Sequence, residues 1–573
     1  MQRESTASDQ DPGLVSGGAL TEIQEHVADE EVVDERTVQW AVREALIRFE
    51  NTLPPPDQSQ TLRHVIENSG TGTIALMRLR LACFFFDSME IKFFALWDVS
   101  KKRVAYRTRN GFSVYARRDN PAGRMISTRP MERDAGSQQT FQRMKVHLNE
   151  CLYGERRGKK MHSICPLPAQ DYMPTRLLEI CGSNNSFKIR LRSTAEMPVE
   201  PYIALSYCWG GDQRMKSTCD QLDTWMSDIP WDALSQTLRD AIVVCHNLLF
   251  RLLWVDAFCI VQDDPQDKAV EIAQMPNVYR NSVITIAASR AQSVQEGFLA
   301  ERISTQLLDQ VFQLPFKGRY FSEGAITLFR TKIEPEPLDT RGWSLQERLL
   351  SPRTYEFGTR QSRFICQHNP RGVPDGWRVK PEEHGSRQDN LDDVAVLQTQ
   401  FIGAQQPQGS IIGTDFEEAM ENWYHLVGVY SYRRLTFSTD RIMAISGIAA
   451  RYGHIFGDEY CAGLWRSTFS RALYWKVRYS EDETYPRPTS WQGPFWSWIS
   501  INWPVSFPSP DETDEVEPRV LHINLQLANP ADPYGALLTG SGHLTVRGKI
   551  NAAYLMLEKS PFGIWRGKAG GMA

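Results

Sequence analysis

Between positions 175 and 360 the chain alternates short apolar runs with stretches of helical spacing. "YIALSYCWGG" (202–211), "RLLWVDAFCI" (251–260) and "SVITIAAS" (282–289) hold continuous apolar runs of strand length. Such runs mark strands covered on both faces. Between the first two, "LSQTLRDAIVVCHNLL" sets Leu234, Leu238, Ala241, Ile242, Cys245 and Leu249 on one helical face. Between the second and third, "DKAVEIAQM" reads as a short helix. An interior proline costs a helix about 3 kcal/mol, so with Pro276 next in the chain this helix is expected to end at Met275. Strand, helix, strand, helix, strand in this order predicts a parallel sheet. "RLLEIC" and "FKIRLRS" predict a hairpin ahead of it, and "RGWSLQERLLSPRTYEFG" a helical turn running into a further strand.

The flanks divide the rest. Residues 1–60 are polar and acidic, close on Pro54, Pro55 and Pro56, and are expected to be disordered. Residues 61–170 are expected to form a small N-terminal unit, with apolar runs "IALMRLRLACFFFD" and "EIKFFALWDV" and a helix at "QQTFQRMKVHLNECL". The α/β domain is placed at 171–360, and a polar linker or insertion at 378–413. Residues 414–573 are expected to be a mixed, aromatic-rich C-terminal region that opens with a helical pair.

Composition narrows the function classes. A chain of 573 residues exceeds one core. A net charge of −5 offers no nucleic-acid surface. The best membrane candidate, at 241–261, is broken by His246, Asn247, Arg251 and Asp256, so no membrane association is expected. The ten cysteines show no framework spacing and the N-terminus no secretory signal, so a cytoplasmic protein with reduced thiols is expected.

Four blocks carry a family resemblance: "YIALSYCWGG", "LWVDAFCIVQDD", "EIAQMPNVYRNSVITIAAS" and "TRGWSLQERLLSPR", in that order. They resemble the heterokaryon incompatibility (HET) domain of filamentous fungi, over roughly Tyr202 to Arg353. "STDRIMAISGIAARYG", "YCAGLW" and "PFWSWIS" resemble the C-terminal region of large members. The family is regarded as a distant relative of TIR domains. The resemblance therefore implies a TIR/flavodoxin-like parallel sheet with flanking helices. It also implies a role in non-self recognition and programmed cell death, through self-association or a recognition partner protein. Some TIR domains cleave NAD and others are scaffolds. NAD is thus a candidate substrate, and no cofactor is expected.

In an open α/β sheet, ligands bind beyond the C-terminal strand ends. Ser206, Gly210 and Gly211 follow the first strand and Asp256 the second, which makes them candidate ligand-binding residues. The glycines let backbone N–H groups approach a phosphate or ribose, and Asp256 suits a ribose hydroxyl or a loop cap. A glycosidic cleavage needs a carboxylate beside an oxocarbenium-like centre. Glu271 and Glu296 are the alternative candidates for it, although each reads more readily as a solvated helix-face acid. Trp209, Arg341, Trp343 and Glu347 are motif residues with structural readings. Ser344 and Glu347 in "SLQE" match a capping box, and the two tryptophans read as packing. Cys208 or Cys259 with His246 lacks an orienting acid, so these are read as structural thiols. Cys151, His162 and Cys165 supply three metal-type ligands without zinc-finger spacing, so no metal is expected.

Overall fold

The computed structural model describes, with short breaks, residues 132–302, 335–374, 414–478, 488–508 and 519–548, together with separate strands in 90–121, 310–330 and 553–571. The expected disordered segment 1–60, the run at 74–87 and the linker at 378–413 lie outside the described residues. Two compact units emerge. One comprises residues 1–130, 305–332 and 377–385. Its strands Glu90–Ile91, Phe112–Tyr115, Glu323–Arg330 and Gln310–Lys317 pair as an antiparallel sheet, in that spatial order.

The second unit comprises residues 131–304, 333–376 and 386–573, and holds the candidate site. It is built on an eight-stranded mixed sheet. In chain order the elements are α1 (Gln138–Tyr153), β1 (Arg176–Ser183), β2 (Ser186–Ser193), β3 (Ile203–Ser206), α2 (Gln236–Asn247), β4 (Leu252–Trp254), α3 (Pro265–Asn281), β5 (Ile284–Ala287), α4 (Gly342–Leu350), β6 (Arg353–Phe357), β7 (Ser362–Cys366) and β8 (Val373–Pro374). The spatial order is β8-β7-β6-β5-β3-β4-β1-β2. The four central strands are parallel, and the outer pairs on each side are antiparallel. Numbered by appearance, the parallel strands run 2-1-3-4. The chain leaves β3 for one side and returns on the other, which puts a switch point between β3 and β5.

The apolar runs become strands because both faces are covered. Ile203, Ala204, Leu205, Leu252, Leu253, Trp254, Ile284 and Ile286 are all buried. α1, read from the sequence as part of the N-terminal unit, contributes Phe141, Met144, Leu148 and Cys151 to this same core.

α3 corrects one expectation. It runs on to Asn281 with Pro276 in its interior, rather than ending at Met275. Its N-terminus is capped by Asp264, which accepts from the backbone N–H of Gln266 and Asp267. Pro276 packs where Gly447 leaves room: a Cβ at 447 would meet Pro276 Cβ at 2.6 Å. Burial between two layers thus outweighs the proline cost.

The helical pair becomes α5 (Thr414–Ser431) and α6 (Met443–Phe456), which enclose a second core with Trp423, Trp465 and Trp498. α4 is the joint between the cores. Leu345 and Leu349 belong to the second, while Trp343 and Leu350 pack against both. A helix wedged in this way is buried all round, polar residues included.

Candidate active site

The site forms at the switch point. Register sets Ser206 of β3 opposite Ala287 of β5, and Ala287 opposite Glu356 of β6, so three C-terminal strand ends align. α4 descends beside them and supplies Glu347. The Ser206 hydroxyl donates a short hydrogen bond to Glu347 Oε2. Both residues are buried, at 4% exposure each. Burial drives the Glu347 carboxyl up to about 7, against the opposing pull of Arg341 and Ser206. At neutral pH the group therefore divides between acid and base, a state suited to proton transfer.

Arg341 stands at the entrance to α4 and donates from Nη1 to the Tyr207 carbonyl. Asp256 opens the short helix Asp256–Cys259 beyond β4. Its Oδ2 accepts from Trp209 Nε1 at 2.8 Å and its Oδ1 from the Ala257 backbone at 2.7 Å. Burial raises Asp256, with Arg341 and Trp209 opposing. Tyr207 Oη accepts from Gln213 at 3.0 Å, and burial holds its phenol well above the ordinary value.

A narrow cleft of about 10 Å³ opens beside Ser206, with Thr285, Ser289, Asp339, Arg348 and Glu356 on its wall. Such a volume suits a single water. Arg348 pairs with Asp339 at 3.2 Å and with Glu356 at 3.1 Å, and Glu356 also pairs with Arg363 at 2.7 Å. Burial alone would raise Glu356, but Arg363 and Arg348 bring it below the usual carboxylate value. Asp339 Oδ2, Arg348 Nε and Thr354 Oγ1 are buried and have no partner among the described residues. Buried polar groups are rarely left so, and three at one cleft fit a polar occupant.

The structure therefore gathers Ser206, Trp209, Asp256, Arg341 and Glu347, and sets the other candidates apart. Gly210 and Gly211 turn the loop after Ser206, at φ of +72° and +127°. Trp343 packs between the cores and donates to Asp440 at 3.3 Å. Glu271 is buried on α3 against Arg176 at 3.5 Å, and Arg176 is also held by Asp267 at 2.6 Å. Glu296 is exposed and accepts from the Gln292 backbone at 2.8 Å. Burial lifts the Cys208 thiol to about 11 and the Cys259 thiol to about 12, so neither is a thiolate at neutral pH.

The capping box is corrected. α4 begins at Gly342, so Ser344 lies inside it. The Ser344 hydroxyl donates to Leu338 O at 2.6 Å and Arg341 O at 2.9 Å, and accepts from Arg433 Nη1 at 2.9 Å. Glu347 is thereby free to reach Ser206. No local signal marked this contact: "SLQE" reads as a capping box, and its partner Ser206 lies 141 residues away.

Residues 202–347 match the family model of the heterokaryon incompatibility protein (HET). This stretch is a HET domain. Its limits fall on the first residue of the block that forms β3 and on Glu347 itself. Comparison with curated proteins and with solved structures gave no match. No described helix is long and apolar enough to cross a membrane.

The HET-domain placement sets an expectation for the two outlying acids. Glu271→Gln keeps an amide beside Arg176, whose charge Asp267 still meets. Glu296→Ala loses one exposed hydrogen bond, worth about 1 kcal/mol. Both variants are expected to stay within a few degrees of wild type in Tm, measured by thermal melts.

Proposed function

We propose that the chain is a heterokaryon incompatibility-type protein of fungal non-self recognition, whose HET domain triggers programmed cell death when brought together with further copies or a partner protein. The family match over 202–347 carries this reading, because it spans the whole cluster from Ser206 to Glu347. The 2-1-3-4 order of the parallel strands supports the TIR/flavodoxin-like part of it, since flavodoxin-like sheets begin in that order. The test is induced expression of the full chain in a filamentous fungal host. Growth arrest is expected. Normal growth with full-length protein present on a blot would overturn the reading.

A second reading is favoured by one observation: a buried glutamate with its carboxyl near 7, hydrogen-bonded to Ser206 at the switch point. On this reading the HET domain hydrolyses the nicotinamide–ribose bond of NAD. Glu347 would face the oxocarbenium-like centre, and Asp256 would hold ribose hydroxyls once Trp209 swings away. The cleft as it stands is too small for a nucleotide, so binding would require α4 and the 207–211 loop to part. NAD consumption by purified protein separates the readings: toxicity without turnover leaves assembly alone.

A further inference from the structure

Four side chains outside the cleft converge at the far edge of the sheet. Cys151 sits on the last turn of α1, His162 and Cys165 on the loop after it, and Cys366 at the end of β7. Their ligand atoms all lie within 4.8 Å of one another. His162 Nδ1 stands 3.4 Å from Cys366 Sγ and 4.0 Å from Cys165 Sγ. All four are buried, His162 the most exposed at 9%. The three cysteines are unbridged. A tetrahedral ion with bonds of about 2.3 Å to sulfur and about 2.0 Å to nitrogen sets its ligand atoms roughly 3.5–3.8 Å apart. The cluster needs only small side-chain adjustments to reach that.

The surroundings fit an anionic thiolate centre. Arg353, 1% exposed, donates from Nε to Cys151 Sγ at 3.1 Å, from Nη1 to the Val283 carbonyl and from Nη2 to the Pro166 carbonyl. A guanidinium buried against a sulfur is costly unless that sulfur carries negative charge. Lys160 donates to the Cys165 carbonyl at 3.1 Å and fixes the loop. The His162 ring stacks on His368 at 4.5 Å, which holds its Nδ1 toward the thiols.

We propose that Cys151, His162, Cys165 and Cys366 bind one zinc ion in a structural Cys₃His site. Sulfur-rich tetrahedral donors select zinc over magnesium, calcium or manganese. Four protein ligands leave no open position, so the ion is a brace and not a reaction centre. Binding releases three thiol protons to solvent, His162 gives a neutral lone pair, and no electron changes hands. The centre then carries a net charge of −1, which Arg353 offsets. The ion clamps α1 and its loop onto the sheet edge. The sequence shows only three of these ligands together, and no metal is expected from those three alone; the fourth, Cys366, lies 204 residues beyond His162.

The test is elemental analysis of the full chain purified under reducing conditions without added metal. One zinc per chain is expected, and the Cys366→Ser variant should carry almost none. Should that variant misfold, wild type stripped of zinc and titrated with cobalt(II) still decides: intense visible bands of tetrahedral, thiolate-bound cobalt are expected at one equivalent. The proposal falls if wild type carries no zinc and takes up cobalt without those bands. It also falls if folded Cys366→Ser retains full zinc, or if mass mapping finds a disulfide among the three cysteines.

Discussion

Glu347→Gln is expected to stabilise the protein at alkaline pH and, on the function proposed above, to abolish growth arrest. The folded carboxyl sits near 7 against an ordinary 4.5, because burial penalises its charged form. Between these values the unfolded chain has released the proton and the folded chain still holds it. Wild-type stability therefore falls as pH rises through that window, by roughly 3 kcal/mol in all. Below the ordinary value the linkage contributes nothing, and above 7 the loss is complete. The replacement amide carries no titrating proton and can still accept from Ser206, so the variant escapes the loss. Denaturant melts at about pH 4 and pH 8 should show no gap at the first and a gain for the variant at the second. A carboxylate kept at such a cost is the mark of a site that trades stability for function. A variant less stable than wild type at pH 8 would mean that Arg341 holds Glu347 ionised. Retained growth arrest would mean that the cluster is structural. Loss of arrest together with NAD turnover would favour the hydrolase reading.

The fold was far more legible than this site. β3, β4 and β5 could be read because each is a short apolar run that a single residue window reveals. α2 and the β1–β2 hairpin could be read because their periodicities are local. What escaped was non-local or set by packing. Ser206 and Glu347 are 141 residues apart, and nothing near either one announces the other. "SLQE" satisfies a local capping rule, but the helix starts three residues too early for the rule to act. Pro276 was given its cost for an isolated helix, whereas Gly447 on a distant helix is cut to fit it. The aromatic weight of the second half did announce its core, since Trp423, Trp465 and Trp498 have few ways to be satisfied except together. Glu271 and Glu296 drew attention through topology alone, and neither lies in the cluster that topology pointed to.

Gly210→Ala is expected to cost more than Gly211→Ala, although the two glycines adjoin and both have positive φ. Each pays a backbone penalty of about 1–3 kcal/mol for a side chain in a conformation that favours glycine. Gly211 has nothing within 4 Å of its added Cβ, so it pays only that. A Cβ on Gly210 would collide with the Ser293 side chain and come within 2.6 Å of the Ser293 Cα. Backbone cannot rotate away, and overpacking of this kind adds about 1–3 kcal/mol. The contact is a tie between two strand-end loops, since the Val294 N–H also donates to the Trp209 carbonyl at 3.3 Å. Pushing the loops apart moves Trp209 off Asp256, so Gly210→Ala should weaken growth arrest as well as stability. Ser293→Gly should recover part of the loss in Gly210→Ala and none in Gly211→Ala, which a double-mutant cycle on denaturant melts reads directly. Equal costs at 210 and 211, or no coupling to Ser293, would show that the loops separate freely. The strand-end geometry around Ser206 would then owe nothing to this close approach.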